Sequence, residues 1–343
     1  MIKSVFVLIL GYKDINNVDE CIRSLLKQSY KSYKIWYADN NSNDGSVDYI
    51  KKNFPSVKTF QFTDNSGYAG GNNKLIKKAF TDKADFCLVL NADTKVDKYL
   101  LNNLVSSYEM NSIKHKVGLV QPAVMLYDLP NKINTIGNVI HYLGYGYCGN
   151  YLTEKIPKLD RQIVSASGTA MLISKDYYKA VGLFDEDFFM YNEDQNYSWR
   201  GLLKGYKHFL SVKGKIWHKY SFSKNKNKMY HSEKNRLMII FENYEKLTLW
   251  KLMPIIVINE ILMIVYSLFT GWFHLKLKSY FYILKNLKTV KKYREAVQST
   301  RIVDDKVVFE NFESRLDFKV MNNVLIKLFV NPFYIYYNKF VLM

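Results

Sequence analysis

The sequence predicts an α/β fold: a mainly parallel sheet with helices on its faces, followed by a helical C-terminal region. Two observations carry this expectation. Through the first half, short apolar runs of strand length alternate with segments whose apolar residues recur at helical spacing. After about residue 245 the chain turns to long apolar and basic stretches. At 343 residues there is room for one large domain and an appendage, and we place the boundary between residues 1–245 and 246–343.

The first element is the apolar run from Val5 to Leu10, which ends at Gly11 without a small-residue cleavage site. It reads as a buried strand rather than a signal peptide. A helix is expected from Val18 to Gln28, where Val18, Cys21, Ile22, Leu25 and Leu26 fall on one face. Strands are expected from Tyr33 to Ala38, Val57 to Phe62 and Phe86 to Leu90, with helices at Ser46 to Asn53 and Gly71 to Thr81 between them. Such βα alternation puts ligands at the carboxyl ends of the strands, so the loops that follow them are where chemistry is to be sought. Residues 117–165, rich in Gly, Tyr and Asn with broken periodicity, read as strands and loops around a cleft. Helical spacing resumes from Lys175 to Val181, and the C-terminal region holds two long stretches, Leu252 to Trp272 and Leu277 to Arg294.

A hydrophobic fraction of 48% and a charged fraction of 23% are globular values and exclude wholesale disorder and a polytopic membrane protein. The formal charge of +18 calls for a polyanionic partner: nucleic acid, an anionic bilayer surface or phosphorylated ligands. Cys21, Cys87 and Cys148 lie far apart with no paired spacing, which points to reduced thiols and away from a disulfide framework or a zinc site.

Four motifs follow strand ends in order. In Asp39-Asn40-Asn41-Ser42-Asn43-Asp44-Gly45-Ser46, Asp44 and Ser46 suit an Asx-turn and helix cap, while the Asp39 carboxylate can accept hydrogen bonds from the imide edge of a pyrimidine. Next comes Asn65-Ser66-Gly67-Tyr68-Ala69-Gly70-Gly71-Asn72-Asn73, a glycine-rich loop opening a helix. Its glycines would let the backbone approach a ligand, and a helix start offers N–H groups to anions, but its spacing is not that of a P-loop. The third, Leu88-Val89-Leu90-Asn91-Ala92-Asp93, puts Asn91 and Asp93 on one side of a strand by its period of two. Such oxygen ligands suit Mg²⁺ or Mn²⁺ shared with a diphosphate. The fourth runs from Gly182 to Asp194, with Trp199-Arg200 beyond it; acids set among so many aromatics need partners or a task, so Glu193 and Asp194 are candidate bases. His218, after Ile216-Trp217, alone reads as a structural histidine.

Together these motifs, with Ser167-Gly168-Thr169-Ala170-Met171-Leu172 and Glu233 to Arg236, resemble a family 2 inverting glycosyltransferase with the GT-A (Rossmann-like) fold, of the rhamnosyltransferase-like branch that builds cell-surface polysaccharides. The resemblance spans about residues 3–245. It implies a UDP- or dTDP-sugar donor and a glycan or lipid-linked saccharide acceptor. It also implies a divalent metal, Mn²⁺ or Mg²⁺, at Asp93, the aspartate of a DXD-type site whose first carboxylate is Asn91 here. Asp39 would read the base, and Asn41, Asn65, Gly67, Gly70, Gly71, Asn72 and Asn91 would border the nucleotide. Asp194 would be the base with Glu193 beside it, His218 would lie near the diphosphate or on the metal, and Trp199 and Arg200 would border the acceptor.

A nucleic-acid-binding protein is the competing class, with Tyr191, Trp199 and Trp217 as stacking platforms. Carboxylates in the cleft would repel such a polyanion, so no nucleic acid is expected. A catalytically inactive carbohydrate-binding relative, suggested by Asn91, is the third reading. In the C-terminal region Pro254, Asn259 and Glu260 interrupt the apolar stretch, and Lys276, Lys278, Lys285, Lys288, Lys291, Lys292 and Arg294 flank it. That mixture predicts helices lying on an anionic membrane surface without crossing it, which would place the protein in the cytoplasm at the inner face of the cell membrane. Packing on the catalytic domain or a homo-oligomer contact is the alternative.

Overall fold

The structure is a computed structural model and describes residues 2–220, 227–317, 324 and 326–342. The chain divides into two compact units. The first comprises residues 1–138, 148–201 and 206–221, and the second residues 139–147, 202–205 and 222–343. The second unit thus begins before residue 246 and takes in two short segments, 139–147 and 202–205, that interrupt the first.

In the first unit the expected alternation is present with small shifts at element ends. Its first half runs β1 (Val5–Gly11), α1 (Ile15–Leu25), β2 (Tyr33–Asp39), α2 (Ser46–Asn53), β3 (Lys58–Gln61), α3 (Gly67–Thr81), β4 (Phe86–Asn91), β5 (Thr94–Val96) and α4 (Leu100–Ser112). The remainder holds β6 (Val117–Leu126), β7 (Ile133–Thr135), β8 (Asn138–Ile140), β9 (Gly146–Cys148), β10 (Arg161–Ile163), β11 (Ala170–Ser174), α5 (Lys175–Val181), α6 (Glu193–Leu203) and β12 (Lys207–His218); β8 and β9 pair separately and lie mostly in the second unit.

The main sheet has the order β10-β12-β6-β11-β4-β1-β2-β3. Strands β3, β2, β1 and β4 are mutually parallel, β6 and β12 are parallel to each other, and β11 runs antiparallel between β4 and β6. The mainly parallel sheet predicted from the alternation is therefore present. Alternation along β1 explains its place in the middle. Val5, Val7 and Ile9 pack with Val18, Ile22, Ile50 and Leu104 from α1, α2 and α4, while Phe6 and Leu8 pack with Leu75, Ile76, Tyr177 and Tyr197 from α3, α5 and α6. A strand apolar on both faces needs cover on both faces.

From β1 the chain winds outward to β2 and β3, then returns to β4 on the other side of β1. The switch point thus lies at the carboxyl end of β1. Register makes it level: Gly11 pairs with Asp39 on one side, and Leu10 with Asn91 on the other.

The second unit is helical: α7 (Asn227–Asn243), α8 (Lys246–Thr270), α9 (Phe273–Lys285), α10 (Leu287–Thr300), α11 (Asp305–Phe309) and α12 (Asn331–Leu342), the last preceded by a π-helical turn, Ile326–Val330.

Candidate active site

Three loops leave the switch point. After β1, Asp14 precedes α1 and accepts hydrogen bonds from the Tyr12 N–H at 3.0 Å and Asn17 Nδ2 at 3.4 Å. Burial chiefly, then the neighbouring Asp93 and Asp44, raises the Asp14 carboxyl above its ordinary range, against the Tyr12 N–H. Asp14 was not singled out in the sequence, although its place three residues beyond a strand end would have marked it.

After β2, the Asp44 carboxylate forms the expected Asx-turn with the Ser46 N–H at 3.0 Å, and its other oxygen receives the Ile15 N–H of α1 at 3.0 Å. The cap differs from expectation, because Ser46 is already helical and Gly45 stands before it at φ 85°. Asp39 is buried and turned into its own loop, where it accepts from the Ser42 and Asn43 N–H groups, the Ser42 hydroxyl and Gln61 Nε2. It organises the segment that carries Asn41, a half-buried residue at φ 64°.

After β4, Asp93 does not continue the strand with Asn91. It stands in the tight turn between β4 and β5, so the period-two reading is replaced by turn geometry, held by the Thr94 hydroxyl on the Asn91 carbonyl at 2.7 Å. Strand β12 pairs antiparallel with β5, His218 opposite Thr94, and this brings His218 Nε2 to 3.3 Å from Asp93 Oδ1. On the other side of the ring, His218 Nδ1 meets Asn134 Oδ1 at 3.0 Å. The amide oxygen can only accept, so Nδ1 is the donor to Asn134 and Nε2 is the ring nitrogen that faces Asp93. His218 thus lies between Asn134 and Asp93.

A carboxylate oxygen and an imidazole nitrogen 3.3 Å apart are spaced as two adjacent ligands of one cation with bonds of about 2.1 Å. Among the described residues no group of three or more His, Cys, Asp or Glu side chains could hold a metal. Asp93 and His218 thus fit a cation that takes its remaining ligands from water or a substrate diphosphate.

The glycines of the glycine-rich segment serve close packing within the protein. Gly67, at φ 70°, could carry no side chain, because a Cβ would lie 2.3 Å from the Phe189 carbonyl oxygen, and a Cβ on Gly71 would lie 2.6 Å from Leu10. Gly70 is as tightly packed on Ser66. These glycines bring α3 against β1 and against the fourth motif. Asn65 Oδ1 receives the Gly67 N–H and Asn40 Nδ2 at 3.0 Å, and Asn72 Nδ2 donates to the Tyr68 carbonyl. Asn73 clasps Phe184 through both ends of its amide and reaches Glu186.

That clasp leads to the acids. Phe189, Tyr191 and Asn192 all have positive φ, at 61°, 67° and 64°, a costly run for side-chain-bearing residues, and α6 starts immediately after it. Asp194, half-buried, accepts the Gly168 N–H at 2.8 Å and Asn138 Nδ2 at 3.4 Å on Oδ2, and the Gln195 N–H at 2.7 Å on Oδ1. Burial raises its carboxyl above the ordinary range, against the Gly168 and Gln195 N–H groups, which favour the charged form. Burial and the adjoining Asp194 push Glu193 well above its ordinary range, and its Oε2 has no hydrogen-bond partner among the described residues.

Gly168 joins the parts. Its N–H holds Asp194, its carbonyl accepts the Tyr68 hydroxyl of α3, and the next carbonyl, of Thr169, accepts the Asn91 N–H beside the Asp93 turn. The Ser167 N–H is anchored on Gln121, and the Ala166 N–H on Ser198 of α6. The structure therefore brings together Asp93, His218, Asn91, Asp194 and Glu193. It places Trp199 and Arg200 elsewhere: Trp199 is fully buried, and the Arg200 guanidinium is committed to the Val181 and Leu183 carbonyls and Asn196. Arg200 holds the start of the acid-bearing loop and Trp199 is a core residue, which corrects the expectation that they border an acceptor. Sequence reasoning missed Asn134, Asn138, Tyr68 and Gly168 as site residues; Tyr68 and Gly168 stood in quoted motifs, whereas Asn134 and Asn138 stood in none.

A parallel sheet with its switch point opening on Asp39, Asp93 and an acid pair defines a nucleotide-binding α/β protein equipped for acid–base chemistry. The family model of Glycosyl transferase family 2 matches residues 6–182, and the chain belongs to that family. It is similar to the low-salt glycan biosynthesis hexosyltransferase Agl10 of Haloferax volcanii, 24% identical over 203 residues that cover 58% of this chain and 62% of that protein. It is also similar to the N-acetylglucosaminyl-diphospho-decaprenol L-rhamnosyltransferase of Mycobacterium tuberculosis, 23% identical over 209 residues, 55% of this chain and 67% of the other. The chain thus spans about two thirds of the length of these relatives. Among solved structures, GalNAc-T7 with UDP, GalNAc and Mn²⁺ matches with a TM-score of 0.55 at 15% identity over 71% of this chain and 49% of the other. S. aureus TarS 1–349 in complex with UDP matches with a TM-score of 0.52 at 14% identity, over 99% of this chain and 88% of the other. These likenesses show the GT-A fold.

Proposed function

We propose that this protein is a nucleotide-sugar-dependent inverting glycosyltransferase that moves a hexosyl group from a UDP- or dTDP-sugar to a hydroxyl of a glycan or lipid-linked saccharide in surface polysaccharide synthesis. The observation that carries the reading is the Gly168 junction, which ties the Asp194 carboxylate to the Asp93–His218 pair through two consecutive residues.

The loops after β1 and β2 hold the nucleoside. Asp39 supports that binding by fixing the loop that bears Asn41, and as a reader of the base it would exchange one of its loop hydrogen bonds for the imide N–H. Asp93 and His218 would hold a divalent cation, Mn²⁺ or Mg²⁺, which when bound neutralises charge on the leaving diphosphate. The acceptor hydroxyl attacks the anomeric carbon from the face opposite the diphosphate. The new C–O bond forms as the C1–O bond to phosphate breaks, and the hydroxyl proton passes to Asp194. A carboxyl raised by burial is a better base than one in water, and the Gly168 N–H fixes which oxygen is presented. Glu193, its carboxyl also raised by burial and by Asp194, lies beside it and in its protonated form can donate a hydrogen bond to the acceptor or to Asp194.

The relative named as acting on a diphospho-decaprenol acceptor supports a lipid-linked saccharide here and, with it, work at the cytoplasmic face of the membrane. The test is a thermal-shift screen of nucleotide sugars with and without Mn²⁺, followed by transfer assays with the winning donor. A ligand at 100 times its Kd stabilises by about 2.7 kcal/mol. A metal-dependent shift with one pyrimidine sugar, followed by transfer with inversion, is expected. No shift with any nucleotide, or a product that retains the anomeric configuration, would overturn the reading.

A further inference from the structure

Helix α8 is built inside out. The residues it buries are Leu252, Ile255, Ile256, Asn259 and Ser267, so its polar groups face the interior of the helical unit. Glu260 joins them, bonded to Arg236 of α7, to Lys276 of α9 at 2.7 Å and to the Tyr280 hydroxyl at 2.7 Å. Asn259 accepts the hydroxyls of Tyr145 and Tyr334. The outward side is the apolar one: Val257, Ile261, Leu262 and Val265 are exposed, Trp250 is 77% exposed and Phe269 87%. No charged residue of α8 between Leu252 and Thr270 is exposed. A surface helix in water shows the opposite arrangement.

The adjoining helices carry the same character. Phe281 and Leu284 of α9 are exposed with Lys285 at helical spacing and Lys288 just beyond, and Phe333 and Tyr336 of α12 are exposed. From residue 246 onward there are fifteen Lys and Arg against seven Asp and Glu.

We propose that this face docks on an anionic lipid bilayer, with α8 lying along the interface, its outward side in the acyl region and the lysines at the headgroups. The proposal deepens the membrane location given above and stands on the helical unit alone. Charge selects the occupant. In a two-fold contact with a second copy the patch would meet itself, lysine towards lysine. Anionic headgroups answer both the apolar surface and the cations.

Length and composition would also let α8 cross a membrane, and a most apolar window only 28% buried suits a span as well as a surface helix, but its one carboxylate sits among partners from two other helices. Crossing would carry Arg236 and Lys276 into hydrocarbon or break their bonds to Glu260.

The full chain is tested with vesicles of phosphatidylcholine alone and of phosphatidylcholine with phosphatidylglycerol, by sedimentation and by quenching of tryptophan fluorescence with brominated lipid. Trp36, Trp199 and Trp272 are buried, and Trp217 is half-buried on β12 of the first unit, so quenching should report Trp250 and vanish in Trp250→Phe. We expect binding to the anionic vesicles, release by high salt, and about fivefold weaker binding for each of Lys285→Ala and Lys288→Ala. Phe269→Glu should weaken binding without lowering the melting temperature. Absence of binding at every salt concentration, binding without quenching of Trp250, release by detergent only, or a discrete dimer that does not bind vesicles would each overturn the proposal. A chain that binds vesicles but transfers no sugar would overturn the enzymatic reading and leave this one standing.

Discussion

Replacing Asp194 with Asn separates chemistry from structure, because the side chain keeps its shape and loses its basicity. The parent carboxylate receives two donors on Oδ2, from Gly168 and Asn138, and one on Oδ1, from Gln195. The amide oxygen of the variant settles where two donors converge, leaving the amide NH₂ against the Gln195 N–H. One hydrogen bond is lost, at about 0.5 to 1.5 kcal/mol. Loss of the base instead removes about 10² to 10⁴-fold in rate, or about 3 to 5 kcal/mol of barrier. The rate effect therefore exceeds the stability effect severalfold. Initial rates of transfer at saturating donor, with calorimetric titration of the nucleoside diphosphate and thermal unfolding, measure the three quantities separately. A turnover within about threefold of the parent would refute the assignment of Asp194 as base, however much the melting temperature moved.

Asp93→Ala should remove the Mn²⁺-dependent part of uridine diphosphate affinity. Asn134→Leu, which frees the His218 ring, should weaken that part by about 10 to 100-fold; titrations with and without Mn²⁺ read both, and a parent affinity indifferent to metal would contradict them. Asp39→Ala removes three hydrogen bonds from the 40–46 loop and one from Gln61 of β3, and should cost about 1 to 3 kcal/mol in urea unfolding together with much of the nucleotide affinity; unchanged affinity would reduce Asp39 to a turn residue. Glu193 has a folded pKa above its unfolded one, so its contribution to stability is full below the unfolded value and is lost as pH rises through the folded value. Glu193→Gln should accordingly raise the melting temperature at pH 8 relative to the parent and leave it nearly unchanged at pH 4; the same shift at both pH values would show that the carboxyl does not titrate as described.

The local part of the fold was legible because it rests on short-range rules. Helices α2 and α5 end where spacing predicts, and β1, β2 and β4 each extend one residue beyond their expected ends. Those extra residues, Gly11, Asp39 and Asn91, form the level rim of the site. A polar or glycine residue closing an apolar run reads as a loop by composition, although register keeps it in the ladder. The glycine-rich segment shows the limit of residue type. Its spacing permits either a close approach to a ligand or close packing, and only Phe189, about 120 residues on, decides for packing at Gly67.

The same limit separates the two kinds of acid in this chain. Glu193 and Asp194 stand out because they are adjacent and set among aromatics, and their partner Gly168 lies 26 residues from Asp194. Glu260 looked like an interruption of an apolar stretch, because Arg236 lies 24 residues before it and Lys276 16 residues after it, each on another helix. Periodicity within one helix cannot show such a network. It can show that a helix has a polar side; which side faces in is fixed by tertiary contacts. In α8 the contacts turn Asn259, Glu260 and Ser267 inward, and a stretch that looks interrupted in sequence presents a largely apolar surface.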